Sequence, residues 1–528
     1  ILAVTFTNKA AAEMRQRVED LLGGRGQGMW VTTFHSACVR ILRTDGERVG
    51  IRRNFVIYDT PDQQAVAKEC LKELNLDPKN FDPRAMLDAI GKAKNELTSV
   101  DDYESVAGDY WEKTVARVYR LYQARLRANN AVDFDDLIME TVNLFRQNEQ
   151  VLDAYQERFR YILIDEYQDT NHAQYQLVKL LAAKYRNICV VGDEDQSIYG
   201  WRGADIRNIL DFTDDYPECT VIKLEQNYRS TQRILDAANR VIGNNQDRLE
   251  KSLWTEGPQG EKIALYRAFD DRDEANFITG EIRRLAKAEK RPFTDFGLLY
   301  RTNAQSRVFE EAFMNVGLPY KVVGTLRFYE RREIKDLLAY LRVIYDPDDS
   351  VSLRRIINVP RRGIGTATMT RLDDFAQSRG LTLSTALRRA DEIEGISARF
   401  AGVLASLAVL LQSFTAMALE LPVTELVEKI LRNTGYQKEL EDEHSPEAEA
   451  RLENLREFLS VAQEFVNKSE DKSLGAFLEQ VALVADVDTY DDAADTVTLM
   501  TLHSAKGLEF PVVFLVGMEE GLFPHSRA

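Results

Sequence analysis

At 528 residues the chain is longer than one hydrophobic core organises, so several domains are expected. Hydrophobic residues make up 44% of it, enough to fill those cores, and no run approaches the roughly 20 apolar residues of a membrane span. A net charge of −17 excludes a uniformly basic surface, although the local field of a groove, not the total, governs binding of a polyanion.

Ile1 to Phe6 reads as a buried strand already under way at the first residue, and Asn8 to Leu22 as the helix that follows it; this start predicts that a preceding segment is missing. Residues 62–156 are rich in Leu, Ala, Glu, Lys and Arg at helical spacing, which predicts a helical insert. Strand-then-helix alternation resumes with Tyr161 to Ile164, a helix through Leu181, Ile188 to Gly192 and Ile206 to Phe212. A second lobe of the same kind is predicted from Val221-Ile-Lys-Leu through Lys262-Ile-Ala-Leu-Tyr and Phe296-Gly-Leu-Leu-Tyr. It is interrupted by a second helical stretch and resumes at Val497-Thr-Leu-Met-Thr-Leu. Pro511 to Gly517 reads as a last buried strand without its crossover helix, which predicts truncation at this end too. Short apolar strands followed by amphipathic helices imply parallel sheets, so the expected fold is α/β with two lobes, each carrying a mostly helical insert. The expected boundaries are 1–61 with 157–222 for the first lobe and 62–156 for its insert, then 223–329 with 496–528 for the second lobe and 330–495 for its insert. No charged-then-apolar leader is present, and Cys38, Cys70, Cys189 and Cys219 lie far apart without ligand spacing. Reduced structural thiols in a cytoplasmic protein with no membrane partner are expected.

Adjacent carboxylates at the end of a buried strand, Ile164-Asp165-Glu166, occupy the position where ligands bind open α/β sheets. In phosphoryl transfer such a pair lets Asp165 hold Mg²⁺ while Glu166 deprotonates the attacking water. Alone, the pair reads better as an acidic surface turn after a core strand. The next strand shifts the balance, because it ends in Gly192-Asp-Glu-Asp-Gln-Ser-Ile-Tyr-Gly-Trp-Arg-Gly. Gln196 suits sensing of a γ-phosphate, and Tyr199, Trp201 and Arg202 suit base stacking and phosphate contact.

These segments, with Thr5-Phe-Thr-Asn-Lys-Ala, Thr33-Phe-His-Ser, Leu224-Glu-Gln-Asn-Tyr-Arg-Ser and Thr501-Leu-His-Ser-Ala-Lys-Gly-Leu-Glu-Phe, resemble the successive motifs of superfamily 1A DNA helicases of the UvrD/PcrA/Rep family. The PcrA-type members match best, and the motifs follow family order across the whole chain. The resemblance implies two RecA-like (P-loop NTPase) lobes, ATP and Mg²⁺ as cofactors, and 3′→5′ translocation on single-stranded DNA with unwinding at single-strand/duplex junctions. It makes Asp165, Glu166, Gln196 and Arg229 catalytic, Arg229 being the finger that reaches the γ-phosphate. It places Tyr228 on adenine and Glu509 on ribose. For DNA it points to Phe6, His35, Phe134, Tyr199, Trp201, Arg202, His503 and His525; Phe134 reads equally well as helix packing.

In the second insert, Pro360-Arg-Arg-Gly-Ile-Gly-Thr is similar to the family's duplex-contacting loop. Gly363, Gly365 and Thr366 would offer amides at a helix start beside two arginines. No G-x-x-x-x-G-K-[ST] occurs in the chain, so these residues alone are expected to be inactive. Repair or replication proteins are the expected partners. A non-hydrolysing DNA-binding protein on the same scaffold, or a helicase–nuclease subunit, are the other readings.

Overall fold

A computed structural model describes the chain except residues 24–25, 27, 246–247, 250, 324–327, 484–494 and 525–528. Strand β1 (Leu2–Thr5) runs into a helix, Asn8–Leu22, because Thr7 caps it, its hydroxyl accepting from Ala10 N at 3.1 Å. The helix stops where Gly23 takes up a left-handed conformation, φ 57°. β2 (Trp30–Thr33) returns beside β1, and the helix Phe34–Asp45 follows it. A two-residue parallel pair, β3 (Val56–Ile57) and β4 (Ala131–Val132), brackets the helices of the first insert. β5 (Ile162–Ile164) and β6 (Ile188–Val190) complete a parallel sheet of order β2-β1-β5-β6. β7 (Phe296–Tyr300), β8 (Tyr320–Val322), β9 (Val497–Thr501) and β10 (Val512–Leu515) form a second parallel sheet, β10-β7-β9-β8. Parallel strands need crossovers, and here they are helices or whole helical inserts, except between β9 and β10, where residues 502–511 are turn and loop.

Each unit has its own core. Leu2, Val4, Trp30, Phe34, Ile162 and Ile164 fill the first lobe, and Phe296, Leu298, Tyr300, Phe313, Val497 and Leu499 the second. The first insert closes on Tyr58, Cys70, Met86, Tyr119 and Tyr122, and the second on Leu337, Tyr340, Leu404, Phe414, Ile430 and Phe458. The inserts lean on each other through polar contacts: Tyr58 Oη donates to Asp349 at 2.7 Å, Lys335 Nζ lies 2.9 Å from Asp59, and Arg342 Nη1 lies 2.5 Å from Asp62.

Three sequence expectations need correction. Val221–Leu224 and Lys262–Tyr266 are not strands: Val221, Ile222, Leu224, Ile263 and Leu265 are exposed, and no described strand offers them a ladder. The single bridge nearby joins Gln226 to Trp254. One helix among the described residues, Ala398–Met417, does have the length and apolarity of a membrane span by composition, yet its Leu404, Leu407, Leu411 and Phe414 pack into the core of the second insert. The cysteines are free, but Cys189 is exposed on the edge strand β6 while Cys38 and Cys70 are buried.

Candidate functional site

β5 delivers Asp165 and Glu166 to the end of the first sheet. Asp165 N donates to Val4 O at 2.9 Å, which anchors the turn to β1. Glu166 then adopts φ 53°, ψ 40°, a left-handed conformation that costs an L-residue about 1–2 kcal/mol. Strain of this kind gathers at functional sites, where surrounding structure enforces it. Burial, and then the charge of Glu166, push the Asp165 carboxyl above its ordinary range. A half-buried carboxylate beside a second one is a donor set that a divalent cation would satisfy, so the residues fit Mg²⁺.

After β6 the chain turns through Asp193–Gln196. Gln196 Nε2 donates to Asp193 Oδ2 at 2.6 Å. Asp193, Glu194 and Asp195 place carboxylate oxygens close together, and cations from the second lobe's side pair with all three, although Glu194 Oε1 is buried without a hydrogen-bond partner. Arg248 binds Asp195 through two nitrogens, at 3.0 and 2.6 Å, and Lys251 Nζ pairs with Asp193 and, at 3.0 Å, with Glu194. Tyr228 is 85% exposed, and Arg229 Nε donates to Glu509, which brings those two candidates together. Among the described residues Arg229 forms no ion pair with Asp165 or Glu166.

The aromatic candidates fall into two clusters. In one, Tyr199 Oη donates to His503 O at 3.0 Å, and Trp201 meets the His503 ring edge-on at 5.9 Å. The Arg202 guanidinium lies 4.7 Å from the Trp201 ring centre, and Trp201 stays 64% exposed. Arg301 Nη1 is 3.3 Å from His503 Nδ1; a guanidinium only donates, so that nitrogen accepts and is unprotonated. Burial, then Arg301 and Arg202, lower the His503 pKa in agreement. In the other cluster Phe6 packs edge-on against Phe34 at 5.6 Å, and His35 against Phe134 at 5.7 Å. Burial lowers His35 to about 4, so it is a neutral ring at physiological pH.

Gly363, Gly365 and Thr366 are exposed at the start of the helix Thr366–Ser378. The two arginines beside them differ from expectation. Arg362 spends its guanidinium on its own loop, donating to the carbonyls of Ile356 at 2.8 Å and Val359 at 3.0 Å and to Tyr340 Oη at 2.6 Å. It fixes the loop, while Arg361 stays exposed beside it. His525 lies outside the described residues.

Sequence reasoning missed Lys506. From the turn after β9 it reaches across to the first lobe, donating to Gln196 O at 2.8 Å and to Asp169, with Glu166 Oε2 at 3.3 Å. Its signal was present in His503-Ser-Ala-Lys506-Gly, between two residues that were singled out. Arg248 and Lys251 had none, because their partners lie more than 50 residues away in sequence.

Comparison with known proteins agrees with this geometry. Residues 1–217 match the model of the UvrD/REP helicase N-terminal domain, and residues 222–528 that of the UvrD-like helicase C-terminal domain. The whole chain aligns at 54% identity with the ATP-dependent DNA helicase PcrA of Bacillus subtilis strain 168, covering 72% of that protein. The PcrA proteins of Staphylococcus aureus strain Mu50 and Staphylococcus epidermidis align over the whole chain at 52% and 51%, again covering 72% of each.

Proposed function

The chain belongs to the UvrD/REP helicase family, and from that premise we propose that it works as an ATP-dependent DNA helicase, moving 3′→5′ on single-stranded DNA and opening duplex at junctions. One observation carries the reading. The loop from Gly192 to Ala204 bears Gln196 at one end and Tyr199, Trp201 and Arg202 at the other, and both ends touch the same second-lobe turn: Lys506 meets Gln196, and His503 meets Tyr199 and Trp201. Nucleotide-facing and base-facing side chains of one first-lobe loop thus meet the same second-lobe turn, so a shift between the lobes acts on both.

In this reading Glu166 takes the proton of the attacking water, and Asp165 would hold Mg²⁺. Mg²⁺, when bound, supplies charge neutralisation at the phosphate oxygens. Arg229 exchanges Glu509 for the γ-phosphate as the lobes close, since a charge-assisted bond to phosphate replaces an exposed ion pair of small worth. Glu509, released, is free to accept from ribose hydroxyls, and Tyr228 presents its exposed ring to adenine. Gln196 reports the γ-phosphate to the aromatic loop. Tyr199, Trp201, Arg202 and His503 hold bases in one cluster, Phe6, His35 and Phe134 in the other, and the Gly363–Thr366 amides hold duplex phosphate.

Because residues 1–528 contain no G-x-x-x-x-G-K-[ST], we infer that by themselves they hydrolyse ATP slowly; positioning and electrostatics supply most of this catalysis. Work in the cytoplasm beside repair or replication proteins fits the same reading. The test is strand displacement by the full-length protein on duplexes carrying a 3′ or a 5′ single-stranded tail, with ATP and Mg²⁺. Displacement from the 3′-tailed substrate is expected; preference for the 5′ tail overturns the polarity, and no ATP-dependent displacement from either overturns the function.

A further inference from the structure

We propose that Gln168 is a positioning residue that locks the Glu166 carboxylate to the DNA-stacking loop, an inference that rests on the helicase reading above. Gln168 is fully buried, in the short turn Tyr167–Asp169. Its Nε2 donates to Glu166 Oε2 at 2.7 Å, and its Oε1 accepts from Asp193 N at 3.0 Å. The partners fix which way the amide faces, since a backbone N–H only donates and an ionised carboxylate only accepts. One side chain thus joins the end of β5 to the first residues after β6. A second contact, from Ser197 Oγ to Gln168 O at 3.4 Å, ties the same turn further along the loop.

Gly192 makes room for the junction. A Cβ there would stand 2.5 Å from Gln168 Oε1, 2.6 Å from Ile209 Cδ1 and 3.2 Å from Tyr167 N. Only without it does the chain come close enough for Asp193 N to reach the amide. Beyond Asp193 the path continues through its carboxylate to Gln196 Nε2 at 2.6 Å, and three residues later to Tyr199. Displacement of the aromatic loop by a strand of DNA therefore pulls on Asp193, and through Gln168 on the carboxylate of Glu166. Lys506 offers a second link to Glu166, but it comes from the other lobe and breaks when the lobes part. The Gln168 link lies within one lobe and survives opening.

Two ligands that bias one another's binding do so reciprocally, by a factor commonly on the order of 5 to 150. That factor is the readout. In the full-length protein, binding of fluorescein-labelled oligothymidylate is measured with and without a non-hydrolysable ATP analogue and Mg²⁺, beside binding of a fluorescent ATP analogue with and without oligothymidylate. Gln168→Met keeps the side chain's length and removes both bonds, and Gly192→Ala breaks the junction from the opposite side. Both are expected to bring the factor toward one while each ligand alone still binds. Gln168→Glu keeps the acceptor for Asp193 N but loses the donor to Glu166, and since the two bonds act in series it is also expected to bring the factor toward one. A purely structural residue would lower the melting temperature and leave the factor in place. A factor equal to wild type in Gln168→Met overturns the inference; if that variant does not fold, the same comparison is read on Gln168→Glu. A wild-type protein that binds neither ligand overturns the helicase reading, and this inference with it.

Discussion

Lys506 of the second lobe lies 3.3 Å from the Glu166 carboxylate of the first and donates to Asp169, so a single cation stands against two acids across the seam. The pair with Asp169 is largely dry, the side chains being 10% and 2% exposed. Removing one partner of a buried pair leaves an uncompensated charge, so Lys506→Met is expected to cost about 3 kcal/mol. Burial already pushes the Asp169 carboxyl up, with Lys506 opposing it. Without the lysine, acid neutralises the orphaned Asp169 carboxylate, so the loss is larger at pH 8 than at pH 5. Urea unfolding of both proteins at the two pH values checks this; an equal loss at both would remove the electrostatic explanation.

Asp135 gives a second pH signature. Burial, and then the charge of Asp133, push its carboxyl up to about 7, with Lys94 and a 3.2 Å hydrogen bond from Asn95 pulling the other way. Its folded pKa exceeds its unfolded value of roughly 3.9, so between those limits the folded protein holds the extra proton. Its contribution to stability is present in acid and is lost as pH rises through about 7. Asp135→Asn imitates the protonated form and does not ionise when unfolded, so the variant is expected to melt higher than wild type at pH 8 and by a smaller margin at pH 5. Melting curves across that range decide it.

How much of this was legible in sequence depended on where each residue's partners lie. The helix Asn8–Leu22 was readable to the residue because its cap Thr7 and stop Gly23 are local. β3 and β4 were not, since two residues carry no period. Val221–Leu224 and Lys262–Tyr266 have strand composition, but composition supplies no neighbouring strand, and among the described residues there is none. The acid pair, the aromatic loop and Arg229 stood out as motifs. Arg362 was misjudged for the same reason that Lys251 was missed: sequence shows a cation but not whether a loop carbonyl or a distant carboxylate already claims it.

Trp201 and Glu166 should separate binding from chemistry. Base stacking on an aromatic contributes about 1–3 kcal/mol and tolerates any sequence, so Trp201→Ala is expected to weaken single-stranded DNA binding about 5- to 150-fold, equally on unrelated oligonucleotides. Glu166→Gln keeps the size of the side chain but removes the base, so DNA binding should persist while ATP turnover by the full-length protein collapses. Fluorescence anisotropy beside a steady-state ATPase assay reads both; normal binding by Trp201→Ala or normal turnover by Glu166→Gln withdraws the corresponding role.

Two variants separate DNA contact by Phe134 from packing alone. Phe134 opens the helix Phe134–Gln147, whose cap is Asp133, and its ring meets His35. Asp133 is held from below by Lys94, fully buried, which lies 2.6 Å from Asp133 and 2.8 Å from Asp136, while Tyr122 Oη donates to Asp133 at 3.0 Å. Lys94→Met leaves two acids without their cation inside the first insert, an expected cost of about 3–5 kcal/mol. It should also loosen the helix start that aims Phe134, without touching any exposed residue. Phe134→Ala removes the ring itself and keeps the network. If Phe134 stacks on a base, both variants weaken single-stranded DNA binding below their melting temperatures, and Phe134→Ala does so with the smaller loss of stability. If the ring only packs, Phe134→Ala lowers the melting temperature and leaves the anisotropy titration unchanged, and Phe134 leaves the DNA face.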